Sequence, residues 1–142
     1  MNKVYPKWSE LPNLDLYLDQ VLLYVNQLDS SSIVDDDKGL TSAMINNYVK
    51  NGHLDKPIKK KYNRRQLARL IVITCLKNVF SIQEISKTIN SLTVEESSET
   101  MYNNFVMCMN EEKREGLPEV IVSACDTVRL YKKTHDLVEK IV

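Results

Sequence analysis

The stretch LARLIVITCL, Leu67 to Leu76, constrains this chain most. From Leu70 onward it offers almost no polar side chain, so a folded chain must cover it on every side. A short apolar run suits a buried strand or a buried helix, and periodicity alone does not separate the two. The residues before it decide. Asn63 is followed three positions later by Gln66, which reads as a capping box. The run is therefore expected to be a helix that starts at Asn63, buried almost all round, with the rest of the chain arranged as its cover.

The remaining segments supply that cover. Residues 13–28 place Leu14, Leu18, Val21, Leu22, Val25 and Leu28 on one helical stripe, with Asn13 as cap. DSSSIVDDDKG reads as a polar, acidic loop. A second helix is expected from a Thr41 cap to Gly52, since glycine commonly follows a helix end. Pro57 stops continuation, so HLDKPIKKKY reads as an extended connection or small wing. Ser81 and Glu84 form a further capping box, opening a helix to about Ser91. Two more are expected: 97–113 with Met101, Phe105, Cys108 and Met109 inward, and one from Pro118 to about Lys140 with Ile121, Ala124, Cys125, Val128 and Tyr131 inward. Only 3 Gly and 4 Pro argue against a hairpin-rich β fold. The expected class is all-α. The 142 residues suit a single domain, divided into 1–39, 40–92 and 93–142.

Several functions are set aside by what the residues lack. The N-terminal stretch has no apolar h-region, and LIVITCL is too short to cross a bilayer, so a cytoplasmic protein without membrane association is expected. Cys75, Cys108 and Cys125 stand far apart and read as small core residues, not as a disulfide set or zinc site. His53 and His135 are isolated, so no metal is expected. The acids Asp35 to Asp37 lack the spacing of a calcium loop. No glycine-rich phosphate loop is present. No cofactor and no enzymatic activity are expected.

The formal charge is zero, but it is unevenly spread. Residues 40–90 hold ten cations and two anions, net +8, against nine cations and seventeen anions elsewhere. A basic middle of this kind points to an acidic partner. The helix from Thr41 carries Ser42, Asn46, Asn47, Tyr48 and Lys50, groups able to hydrogen-bond base edges or phosphates; asparagine suits adenine in the major groove. Lys59, Lys60, Lys61, Arg64 and Arg65 follow and suit phosphates, which orient a protein without reading sequence. The candidate partner is double-stranded DNA.

From Leu40 to Ile89 the chain resembles the winged helix-turn-helix unit of MerR-like transcription regulators. The resemblance rests on Thr41, Tyr48, Gly52, Leu54, Tyr62, Leu67, Arg69, Leu70 and the FSIQEI of Phe80 to Ile85, in order. It implies DNA binding and regulation of transcription, and sets Tyr48, Lys60 and Tyr62 at the DNA face. The chain departs from the family at Ala43 and Asn46, where arginine is usual, and at Asn47, where a second tyrosine is usual. Asn46, Asn47 and Lys59 to Lys61 therefore rest on side-chain chemistry alone. The whole chain also resembles a bacterial family catalogued as domain of unknown function 1836, through LPNLDLYLDQV and MINNYVK. Two further alternatives stay open. The frame can serve protein interaction with DNA binding lost. The helices of 93–142, in which no sustained heptad stands out, can close the core or, as the MerR resemblance implies, build a homodimer.

Overall fold

The structure, a computed structural model, describes residues 5–28 and 39–142. The expected acidic loop, with Asp35 to Asp37, lies outside the described residues. Among those described, the order is a 3-10 turn at Trp8–Glu10, β1 (Leu16–Tyr17), α1 (Leu18–Leu28), α2 (Ser42–Lys50), β2 (Lys61–Tyr62), α3 (Arg64–Leu76), α4 (Ile82–Glu95), α5 (Ser98–Met109) and α6 (Glu119–Glu139). The expected all-α class holds, apart from one two-residue strand pair.

Helix α3 is the centre. Every residue from Leu70 to Leu76 is buried. Helices α1, α4, α5 and α6 all contact it, so each face of the apolar run has a cover. The capping box forms as expected: the Asn63 side chain accepts from the Gln66 N–H at 2.9 Å, and Gln66 accepts from the Asn63 N–H at 2.7 Å. The Ser81–Glu84 box opens α4 in the same way. That helix continues to Glu95, one turn beyond the expected end, because Leu92 still packs on the core.

Helices α5 and α6 close the remaining side. Met101, Phe105, Cys108 and Met109 point inward as expected, and so do Ile121, Cys125 and Val128. The reading of Tyr131 as inward is corrected: it is 44% exposed. No residue of α6 after Val128 is buried. The helix outruns its neighbours, and helical phase cannot bury a side chain that has nothing to pack on.

The N-terminus departs most from expectation. Helix α1 starts at Leu18, and Leu14 is 75% exposed. The residues between do not extend the helix because Leu16 and Tyr17 pair antiparallel with Tyr62 and Lys61. Upstream, the chain is sewn onto α5 by side-chain amides. Asn110 accepts from the Tyr5 N–H at 2.8 Å and donates to its carbonyl at 3.0 Å, while Asn103 accepts from the Trp8 N–H at 2.9 Å. Tyr102 donates its hydroxyl to the Pro6 carbonyl at 2.8 Å. At the other end of α1, Asn26 brackets Leu40, accepting from its N–H at 2.8 Å and donating to its carbonyl at 2.9 Å. This bracket sets where α2 leaves the core.

Candidate nucleic-acid interface

Helix α2 begins at Thr41, whose hydroxyl accepts from the Met44 N–H at 3.2 Å. Ile45 and Tyr48 turn inward, which leaves Ser42, Ala43, Asn46, Asn47 and Lys50 exposed on one face. No residue of α2 is acidic. Among the described residues the Asn46 side chain makes no hydrogen bond, and the Asn47 side chain accepts one, from Asn51 at 3.1 Å. Both amides keep their N–H donors for a ligand. Tyr48 is different. Its ring lies in the core at 8% exposure, and burial raises its pKa. The expected place of Tyr48 at an outer face is therefore corrected. Its carbonyl instead accepts from the N–H groups of His53 and Leu54, at 2.8 and 3.2 Å, across the turn at Gly52.

The stretch read as a connection or wing is a β-hairpin. Ile58 and Lys61 exchange backbone hydrogen bonds, each 3.0 Å. Between them Lys59 and Lys60 both have positive φ, at 51° and 68°. Two consecutive left-handed residues define the tight hairpin turn that normally takes Asn-Gly. Lysine pays a steric penalty there of roughly 1 kcal/mol relative to glycine. Strain of this kind concentrates at functional sites. It places two exposed lysines in succession at the tip of the hairpin.

Three of the other predicted cations are already engaged. Lys61 lies 5.0 Å over the Tyr17 ring. Arg64 donates to Asn13 at 2.8 Å and sits beside Trp8. Arg65 pairs with Asp55 at 2.9 Å. Tyr62 is a core residue at 4% exposure, so its place at an outer face is corrected as well. Lys50, Lys56, Lys59 and Lys60 have no ion-pair partner among the described residues. The predicted set thus divides. Ser42, Asn46, Asn47, Lys50, Lys59 and Lys60 are open to a ligand; Thr41, Lys61, Arg64 and Arg65 are structural in part; Tyr48 and Tyr62 are core.

Three residues hold this geometry through contacts that the sequence did not reveal. Gln66, buried at 5% exposure, donates to the carbonyls of Asp55 and Lys56 at 2.8 and 3.2 Å and so ties the hairpin to α3. Arg69 donates from Nε to the His53 carbonyl at 2.6 Å and from Nη2 to Ser86 and Asn90, each at 3.0 Å. Asp55 holds Arg65. The available signal was Arg69 itself, a lone cation just before the most apolar run of the chain.

Two other groupings appear only in three dimensions. Cys75, Cys108 and Cys125 come from three helices and are all buried in one core. Burial pushes the Cys125 thiol up, with Cys108 and Cys75 nearby, which makes it a poor nucleophile. Among the described residues no three His, Cys, Asp or Glu side chains converge as a metal site, and no helix is long and apolar enough to cross a membrane. On α6, Val120, Ser123, Thr127, Leu130, Thr134 and Leu137, with Ile141 just past its end, are all exposed and alternate in steps of three and four. Hydropathy hides this heptad because three of its positions are Ser or Thr; exposure reveals it.

Fold and site together define a small helical bundle carrying a basic hairpin between its second and third helices. The chain belongs to the family described as Domain of unknown function (DUF1836), whose model matches residues 6–105. The match spans the turn at Trp8 through most of α5 and leaves α6 outside. No curated protein and no solved structure matches the chain.

Proposed function

We propose that the protein is a small DNA-binding protein, a transcriptional regulator on a MerR-like winged helix-turn-helix frame. In this reading the outer face of α2 enters the major groove, with Asn46 and Asn47 toward base edges. The hairpin grips the phosphate backbone through Lys59 and Lys60. The observation that carries the reading is the Lys59–Lys60 turn: two cations, without an ion-pair partner among the described residues, held in left-handed backbone that glycine would adopt more easily. A solvated surface loop gains nothing from that strain, whereas a phosphate contact does. Helix α1 touches both α2 and β2, so the two proposed contact elements share one support.

The reading includes a homodimer through α6. Leu130, Leu137 and Ile141 are 63%, 53% and 75% exposed, with Tyr131 and Val138 beside them. Lone surface leucines are ordinary, but a helical stripe of them favours pairing. One flank repeats every seven residues as Glu119, Asp126, Lys133, Lys140. Antiparallel pairing sets Glu119 opposite Lys140 and Asp126 opposite Lys133; parallel pairing does not. Asp126 is already held by Arg114 and Arg129, so Glu119 with Lys140 is the stronger determinant.

A second reading, a protein-interaction module, is favoured by one observation: α2 offers Ala43, Asn46 and Asn47, and no arginine, on its outer face. Competition separates the two. Labelled mixed-sequence duplex DNA bound to the protein is challenged with unlabelled duplex and with polyglutamate of equal charge. The DNA reading expects duplex to displace the label at much lower charge concentration. Equal displacement, or no binding of the label, would favour the protein partner.

A further inference from the structure

A cavity of about 210 Å³ lies where the α2–hairpin connection, α3, α4 and the start of α5 meet. His53, Arg65, Arg69, Asn90, Thr93 and Ser98 supply its polar wall. Three features set its chemistry. The first is Arg69, half-buried, whose three hydrogen bonds among the described residues all go to neutral acceptors. No carboxylate bonds to it, and Nη1, with two further N–H donors, has no protein partner among the described residues. The second is the charge balance. Asp55 also lines the cavity but is held by Arg65, so two arginines face one acid. The third is the N-terminus of α5. The Ser97 side chain serves the Thr100 N–H and the Ser97 carbonyl serves Met101, which leaves the Ser98 and Glu99 N–H groups without a partner among the described residues. Glu95, Glu96 and Glu99 adjoin this helix start but do not line the cavity.

We propose that this cavity is a binding site for a compact organic anion, whose carboxylate or phosphate group sits between the Arg69 guanidinium and the first N–H groups of α5. An arginine fork and a helix N-terminus are both established ways for a protein to hold an oxyanion, and here Arg69 and Ser98, the first residue of α5, line one cavity. The volume lies below the ~300–1,000 Å³ of pockets that enclose drug-sized ligands, so the anion is small. Burial is the leading cause that pulls the Arg69 pKa below its ordinary value, and Asp55 only partly opposes it; an occupying anion restores the charged form's comfort. The same guanidinium grips the His53 carbonyl at the root of the hairpin and Ser86 and Asn90 on α4. Occupancy therefore bears on how the hairpin is held. The site itself does not depend on the DNA reading.

The test is a titration of the full chain, followed by amide NMR, with inorganic phosphate in one arm and succinate in the other. Sodium chloride at matched ionic strength is the reference. The expected result is saturable shifts confined to residues around His53, Asn90 and Ser98 in at least one arm. A phosphate response assigns a phosphorylated ligand, a succinate response a carboxylate. Ser98→Glu puts a carboxylate at a helix position where acids are well tolerated, so the fold is kept while affinity falls by about tenfold or more. Arg69→Lys keeps the charge, loses the fork, and weakens binding as well. Shifts no larger than the chloride reference in both arms would overturn the proposal. So would unchanged affinity in folded Ser98→Glu.

Discussion

Replacing Lys60 by glycine is predicted to make the protein more stable and a weaker DNA binder. Lys60 sits at φ 68° in a two-residue turn. The left-handed conformation costs an L-residue roughly 1–2 kcal/mol. Glycine removes that cost but adds unfolded-chain entropy of about 0.4–1 kcal/mol. The net gain expected for Lys60→Gly is about 0.5–1 kcal/mol, or a rise in Tm of about 2–4 °C for a chain of this size. The side chain makes no ion pair among the described residues, so no ion pair among them is lost in the free protein. On DNA the lost cation should lower the log–log salt slope by about 0.9. Lys60→Ala is the control: it keeps the strained backbone, so it should weaken binding to the same degree without raising Tm. Thermal unfolding by circular dichroism and fluorescence anisotropy read the two effects. If Lys60→Gly lowers Tm, the turn is not strained as argued. If both variants bind DNA like wild type, the hairpin tip does not touch phosphate.

Further predictions rest on other contacts. Gln66→Ala removes a buried side chain that closes the α3 capping box and satisfies the Asp55 and Lys56 carbonyls; it should cost about 2 kcal/mol in urea unfolding, and a loss within error of zero would contradict the tether. The hydrogen bond from Arg114, with Arg129 supporting, holds the Asp126 carboxyl down at about 2. A depressed acid contributes stability above its unfolded value, lost as pH falls through the folded one. Asp126→Asn should therefore flatten the Tm profile between about pH 4 and 2, and an unchanged acid limb would count against the Arg114–Asp126 link. Leu137→Glu, on the exposed stripe of α6, should shift sedimentation from dimer to monomer without loss of helicity; a wild type that sediments as a monomer refutes the pairing.

Much of this architecture was legible because local signals agreed with the fold. The caps at Thr41, Asn63 and Ser81 open helices where expected, and the apolar run after Asn63 is the core. Where reading failed, partners distant in sequence had intervened. Leu14 and Leu18 fall on one helical stripe, yet Leu16 pairs with Tyr62, and the helix waits until Leu18. Tyr131 follows Val128 in phase but lies past the end of the bundle. For the candidate site, residue type located the basic segment and not its working members. Of the lysines and arginines between 50 and 65, those beside an acid, an amide or an aromatic ring are held by it. Burial claimed Tyr48 and Tyr62, and no spacing rule separates a tyrosine at a surface from one beneath it.

The most direct measurement is anisotropy of labelled mixed-sequence duplex DNA across a salt series. Wild type is compared with the variant in which Lys59, Lys60 and Lys61 are all alanine. A protein making Z phosphate contacts gives a slope near −0.9Z. The account predicts clear binding by wild type and a slope shallower by about two contacts in the variant, since Lys61 is already occupied by the Tyr17 ring. Folded, helical wild type that shows no binding near ~50 mM salt, or a variant with the wild-type slope, would contradict it.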